Sequence, residues 1–313
     1  MSELTHSAPT HSRAYGTAFA SQLPLIGFEP SDQPADVEIV LGDVPLSIDA
    51  PGAHGMFWSA TSHEVLFDVP GLMRVYVADG RRITVAPAGA SDSDTILDIE
   101  LLLTGTPIAA ALMQRGEMVL HGSAALVEGG ALVVTGLNGS GKSSVVSALS
   151  TLGLPIVCDN LAVMSPASRL VEPHDTSHSD EWLVQPGPST VKLWHDMAVA
   201  LDRPVETGAR ISADVNKYRF DVPATRLPVP VRAVVHLERA AVGVPQLSRL
   251  TDAEATVMLM RDHFRGKIAR LSRPGALADS ASLAQAVPVY SCLRPADGID
   301  PGVLAQFILG GLE

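Results

Sequence analysis

One octapeptide constrains this chain more than any other part of it. Gly136-Leu137-Asn138-Gly139-Ser140-Gly141-Lys142-Ser143 fits G-x-x-x-x-G-K-[ST] and follows directly on the apolar run Ala131-Leu132-Val133-Val134-Thr135. Glycines 136, 139 and 141 let the backbone turn its N–H groups inward around phosphates. Lys142 can then reach β/γ oxygens, and the Ser143 hydroxyl is placed to hold Mg²⁺. Asn138, Ser140 and Ser144 complete the stretch expected to touch the nucleotide. The residues from Ser144 to Leu149 suit a helix whose positive N-terminal end faces the anion. A chain with 26 glycines can meet such a pattern by chance, but chance does not supply a strand before it and a helix after it.

Length and charge narrow the setting. With 313 residues, 46% of them hydrophobic, the chain can bury a full core and is expected to divide into two compact units. A formal charge of −12 argues against a nucleic-acid or anionic membrane partner and favours a neutral or basic one. Cys158 and Cys292 lie far apart among apolar neighbours, which suits a reduced interior and a cytoplasmic setting. Residues Met1 to Ser12 lack the basic and apolar regions of a signal peptide. The apolar run Leu101 to Met113 is broken by Thr104-Gly105-Thr106-Pro107 and is expected to be too short to span a bilayer.

The organisation follows from periodicity. Residues 37–41, 65–69, 73–77 and 82–85 alternate or are β-branched, so they read as strands. Asp79-Gly80 suits a hairpin turn between two of them. This gives a β-rich unit over residues 1–94 and a second domain over 95–313. Thr95 to Arg115 reads as a helix divided near Gly105 and Pro107. Glu117 to Val127 reads as a strand that turns through Glu128-Gly129-Gly130 into the strand before the glycine loop. After the helix, residues 153–158 form a buried strand ending at Asp159-Asn160. Two further helices are expected over Asp252 to Arg270 and Gly302 to Leu312. Ser165 to Ser189 reads as a loop able to cover a ligand; its His174 and His178, near Asp175 and Asp180, read as solvated rather than as metal ligands.

Several side chains carry potential chemistry. Asp159, seventeen residues after Lys142, can face either Mg²⁺ or a substrate hydroxyl, accepting a proton or holding the metal. Asn160 adds a neutral oxygen for the metal's outer shell. His121 sits in a strand that a hairpin would lay beside the loop strand. There an imidazole near the phosphates could donate a hydrogen bond, although such a histidine is more often structural. Lys192, Trp194, Lys217 and Arg219 are candidates for holding a substrate or packing a base. The guanine-reading N-K-x-D element is missing: Asn216-Lys217-Tyr218-Arg219 ends in arginine, so ATP is expected over GTP. An ABC-type ATPase signature is also missing.

Together, Leu120-His121-Gly122-Ser123-Ala124, the loop Gly136 to Ser143, and Val157-Cys158-Asp159-Asn160 resemble, in order and spacing, the signature blocks of the HPr kinase/phosphorylase superfamily. Outside residues 117–164, Tyr15-Gly16, Leu23-Pro24-Leu25, Asp79-Gly80 and Val191-Lys192-Leu193-Trp194 look like HPr-kinase-like proteins with a β-rich N-terminal unit. That group includes the kinases of lasso-peptide clusters. The resemblance implies an α/β fold with a P-loop kinase core of the HPr kinase/phosphoenolpyruvate carboxykinase type. It also implies Asp159 as base, His121 near the phosphates, and Lys142 and Ser143 in their loop roles. Two positions depart from the bifunctional enzymes: Asn160 replaces a second aspartate, and Ser144 replaces a glutamate. Both departures argue against phosphorylase activity and against tight second-metal binding. The expected function is ATP- and Mg²⁺-dependent phosphorylation of a serine or threonine hydroxyl on a peptide or small protein, and a homo-oligomer is compatible with it. The alternative is a nucleotide-responsive binding module without phosphotransfer.

Overall fold

The computed structural model describes residues 8–89, 93–169, 181–212 and 215–312. The loop histidines His174 and His178, with Asp175 and Asp180, lie outside these. Contacts divide the chain into two units. The first comprises Met1–Val119, Ile211–Val215 and Phe264–Pro274; the second comprises Leu120–Arg210, Asn216–His263 and Gly275–Glu313.

The first unit is built on a nine-stranded sheet. Its strands are β1 (Thr10–Ala14), β2 (Thr17–Ser21), β3 (Glu29–Pro30), β4 (Val37–Leu41), β5 (Ala53–Gly55), β6 (Trp58–Ala60), β7 (Glu64–Val69), β8 (Met73–Ala78) and β9 (Arg82–Pro87). They lie in the order β3-β1-β2-β4-β9-β8-β7-β6-β5. Along β8 buried and half-buried residues alternate strictly, so one face meets the core, as the period-two pattern requires. Helices α1 (Ser93–Leu103) and α2 (Thr106–Gln114) follow.

These two helices belong with the sheet, so the contact boundary falls after Val119 rather than at the expected 94/95. One tertiary contact shows why. At the β8–β9 turn Asp79 and Gly80 both have positive φ, 53° and 63°. Gly80 donates its N–H to Gln114 Oε1 at 2.7 Å, and a Cβ there would stand 2.9 Å from the Ala111 carbonyl oxygen. The turn is thus seated against the end of α2, and only glycine permits the approach.

The apolar run is also longer than its sequence suggests. Gly105 and Pro107 divide it, yet Asp94–Gln114 spans 21 residues at a mean hydropathy of 1.6, long and apolar enough to cross a membrane, with 61% of its most apolar window buried inside the chain. Pro107 through Met113 are all buried, which accounts for the apolar content as core packing.

The second unit begins with β10 (Met118–Val127), β11 (Gly130–Thr135), α3 (Lys142–Thr151), β12 (Ile156–Cys158), β13 (Leu161–Pro166), β14 (Trp182–Val184), β15 (Thr190–Trp194), α4 (His195–Ala200), β16 (Ala209–Arg210), β17 (Lys217–Asp221), β18 (Val229–Ala240), β19 (Gln246–Arg249) and α5 (Asp252–Asp262). The helix expected over 252–270 ends at Asp262, because His263 leaves helical geometry at ψ 128° and bridges to Leu120; Arg265, at φ +48°, then opens a separate helix. That helix, α6 (Gly266–Ser272), groups with the first unit. Then come α7 (Ala276–Ala286), β20 (Val289–Pro295) and α8 (Pro301–Gly310).

The order β11-β10-β13-β14-β18-β20-β19 is closed by a further pairing of β11 with β18. That pairing is parallel and sets Thr135 beside His236; β20 is likewise parallel to β18, with Arg294 beside Arg239. Three adjacent parallel strands therefore end on the same side, where open α/β sheets present their binding crevices. Their apolar residues, among them Val134, Val235, Leu237 and Cys292, pack under α3 and α8 through Val145, Leu149, Leu304 and Ile308. A small sheet β15-β17-β16 lies in the same unit.

Candidate functional site

The glycine loop runs from the end of β11 into α3, so strand, loop and helix follow one another as the motif requires. Its glycines are not interchangeable with other residues. Gly136 has φ +134°, and a Cβ on it would stand 2.3 Å from the Leu237 carbonyl oxygen; Gly139 and Gly141 have φ +77° and +108°. The first tolerates no side chain because β18 passes beside it, and the other two adopt a backbone that L-residues rarely take.

Lys142 opens α3 and is only 6% exposed. Its Nζ donates to the carbonyl oxygens of Gly136 and Leu137, each at 2.9 Å. An ammonium carries three donors, so the side chain is anchored by two with one left for an anion. Burial pushes its pKa down from 10.5 to about 8, with Lys217 adding to the fall and Asp159 and Asp262 opposing it. An anion bound against Lys142 favours its charged form, so a complex holds the proton to higher pH than the free protein does. Nucleotide affinity is therefore expected to fall as pH rises through about 8, by up to about tenfold per pH unit for one linked proton, with proton uptake on binding. Calorimetry in buffers of different ionisation enthalpy checks this; affinity unchanged from neutral pH to well above 8 would contradict it.

Beneath the loop lies Asp159, at the end of β12 and 8% exposed. Ser123 and Ser143 each donate a hydroxyl to its Oδ1 at 2.7 Å, and the Lys192 N–H donates to its Oδ2 at 3.0 Å. Three segments distant in sequence are thus tied to one carboxylate: β10, the start of α3 and β15. Ser123 was not singled out from sequence; its proximity to His121 in the same block was the signal available. The Ser143 and Asp159 oxygens, with the nearby Asn160, form a donor set suited to Mg²⁺. Among the described residues no group of three or more His, Cys, Asp or Glu side chains could hold a metal by itself.

In front of the loop opens a cleft of about 380 Å³. It brings together most of the expected residues: His121, Asn138, Gly139, Gly141, Lys142, Ser143, Ser144, Asn160, Lys192, Trp194 and Lys217 all line it. Gly136, Ser140 and Asp159 do not line it, although Asp159 accepts the hydroxyl of Ser143, which does. Arg219 stands apart from the lining, 7% exposed, opposite Lys192 in the β15–β17 pairing. Trp194 is 51% exposed, with Lys217 Nζ 5.6 Å from its ring centroid, so it offers a flat apolar face at the rim. Ile299, Pro301 and Leu304 add an apolar wall. Asp300 Oδ1 fixes that wall by accepting the Gly302 and Val303 N–H groups, both at 2.9 Å, and so capping α8.

Two cations of the cleft went unnoticed in the sequence: Arg239 at the end of β18 and Arg294 at the end of β20. With Lys142, Lys192 and Lys217 they make five cationic side chains against Asp196 and Asp297. The cleft is thus basic although the whole chain carries −12. Neither arginine pattern matches a motif, and only the parallel pairing of β18 with β20 places them together.

No family profile matches the chain, and no curated protein matches it. Among solved structures it is similar to the HPr(Ser) kinase/phosphatase from Coxiella burnetii, at a TM-score of 0.29 and 12% identity, over 61% of this chain and 94% of that one. At those values the likeness is distant.

Proposed function

We propose that the chain is an ATP-dependent kinase that transfers the γ-phosphoryl group to a serine or threonine hydroxyl of a peptide or small protein. The observation that carries this reading is the convergence on one basic cleft of the glycine loop, Lys142, and the Ser143–Asp159 pair. Lys142 would neutralise β/γ oxygens, while the loop N–H groups and the N-terminus of α3 hold the phosphates. Ser143 and Asp159, with Asn160 further out, would hold Mg²⁺, which supplies charge neutralisation on the phosphate oxygens when bound.

The remaining work falls to the chain's own groups. Asp159 accepts the proton of the attacking hydroxyl, whose acidity rises as the new O–P bond forms. His121, on the cleft wall, donates a hydrogen bond toward the phosphates. Trp194 and the apolar wall near Leu304 pack the base or the acceptor, and Lys192 and Lys217 attract negative groups on either. Because positioning and charge stabilisation are most of what phosphoryl transfer demands, this set is sufficient for the reaction.

Incubation with ATP, Mg²⁺ and serine- or threonine-containing peptides, read by mass spectrometry, is expected to add one phosphate group that survives acid and is lost in alkali. An acid-labile adduct, or transfer only to a small metabolite, would show that the acceptor is wrong.

A further inference from the structure

We infer that Arg294 is a positioning residue that braces the glycine loop in its phosphate-receiving shape, an inference that rests on the cleft being the nucleotide site. Arg294 lies at the end of β20 and is half-buried. Its Nε donates to the Ser140 carbonyl oxygen at 2.5 Å, and its Nη2 donates to the Gly139 carbonyl oxygen at 3.2 Å. Its Nη1 donates to its own neighbour, the Pro295 carbonyl oxygen, at 3.2 Å. One guanidinium therefore ties two consecutive loop peptides to the end of a strand more than 150 residues away.

The consequence for the loop is geometric. In a trans peptide the C=O of one residue and the N–H of the next point in opposite directions. Holding the Ser140 carbonyl toward β20 therefore holds the Gly141 N–H away from it, on the opposite side of that peptide plane. Gly139 and Gly141 lose more backbone freedom on ordering than any other residue type would, so an unbraced loop would spend much of its time with that N–H turned elsewhere. The rigid fork of a guanidinium suits two adjacent acceptors in a way that an ammonium does not.

The neighbouring charge adds a second reason. Arg239 stands beside Arg294 in the β18–β20 pairing and donates to the Ala296 carbonyl oxygen at 2.6 Å. Among the described residues neither arginine lies within ion-pair distance of a carboxylate. Two guanidiniums side by side, satisfied only by peptide oxygens, form a positive edge that an anionic ligand relieves.

The test uses the full chain with Arg294→Ala and Arg294→Lys, beside wild type and Lys142→Ala. Amide exchange over residues 137–143 in the nucleotide-free protein is expected to speed up about tenfold in Arg294→Ala. Its Kd for both ADP and ATP should rise by about the same factor while kcat changes little, because hydrogen bonds that shape the loop act on ground and transition states alike. Arg294→Lys keeps the charge but not the fork and is expected to recover little of either. Unchanged exchange together with unchanged Kd in Arg294→Ala would overturn the inference, and so would a fall in kcat with KM unchanged, which would place the guanidinium on the transferring group. Should wild type bind no nucleotide, the nucleotide reading fails by itself; the exchange rates still decide for or against the brace.

Discussion

Replacing Lys142 by alanine is expected to lower turnover on the order of 10²–10³-fold, the loss typical of removing one preorganised charge from a developing oxyanion, and to weaken ATP·Mg²⁺ binding at the same time. Nothing else described in the cleft can take its place. Its Nζ is the group on the Gly136 and Leu137 carbonyl oxygens, at the root of the loop. Lys192 and Lys217 reach the cleft from the β15–β17 sheet, and Arg239 and Arg294 from the ends of β18 and β20. Arginine at 142 is not expected to rescue, since a planar guanidinium is larger than the ammonium this buried position holds. Fold stability is expected to survive in Lys142→Met, which fills much of the same space and removes a charge whose burial is unfavourable. Calorimetry with turnover measurements checks the pair. Unchanged affinity and turnover in Lys142→Ala would remove the nucleotide assignment.

The parts of this site that were legible in the sequence are those built from local order. The glycine loop, its flanking strand and helix, and Asp159 at a strand end each depend on residues close together in the chain, so spacing alone places them. The strands β4, β8 and β9 were likewise legible, since one face of each is buried and the period of two survives in the sequence, while β7 shows as a short apolar run with Val65, Leu66 and Phe67 all buried. What was hidden depends on tertiary pairing. Arg239 and Arg294 become neighbours only because β18 and β20 run parallel, and no local pattern encodes that. The same holds for the buried contact of His236 Nδ1 with Asp262 Oδ2 at 2.8 Å, which joins β18 to the end of α5 behind the loop.

The net charge of −12 does not reveal the cations of the cleft either, because a sum over the chain does not describe one cleft. The short strands β5, β6 and β14 have too few residues for periodicity to show. The domain boundary was displaced because Gly80 fits against α2, a contact between positions 34 residues apart.

Asp159→Asn carries the second large effect. The substitution nearly preserves shape, and its carbonyl oxygen can still accept the Ser123 and Ser143 hydroxyls, but an amide nitrogen takes the place of the oxygen that accepts the Lys192 N–H, and the anion is removed. Phosphoryl transfer is therefore expected to fall by about 10²–10⁴-fold, the range for losing a positioned general base, while ATP still binds through the glycine loop and Lys142. A group that only held the metal would behave differently: Mg²⁺ affinity would then fall in step with rate. A nucleotide-responsive binding module would need no base at all.

The most direct measurement is thus single-turnover transfer of the γ-phosphoryl group from ATP to a serine-containing peptide, by wild type and Asp159→Asn, with nucleotide and Mg²⁺ titrations on both. The predicted result is transfer by wild type, loss of transfer by the variant, near-equal nucleotide affinities, and an Mg²⁺ affinity that falls far less than the rate does. Near wild-type transfer by Asp159→Asn, or saturable ATP binding by wild type with no transfer to any hydroxyl, would contradict it.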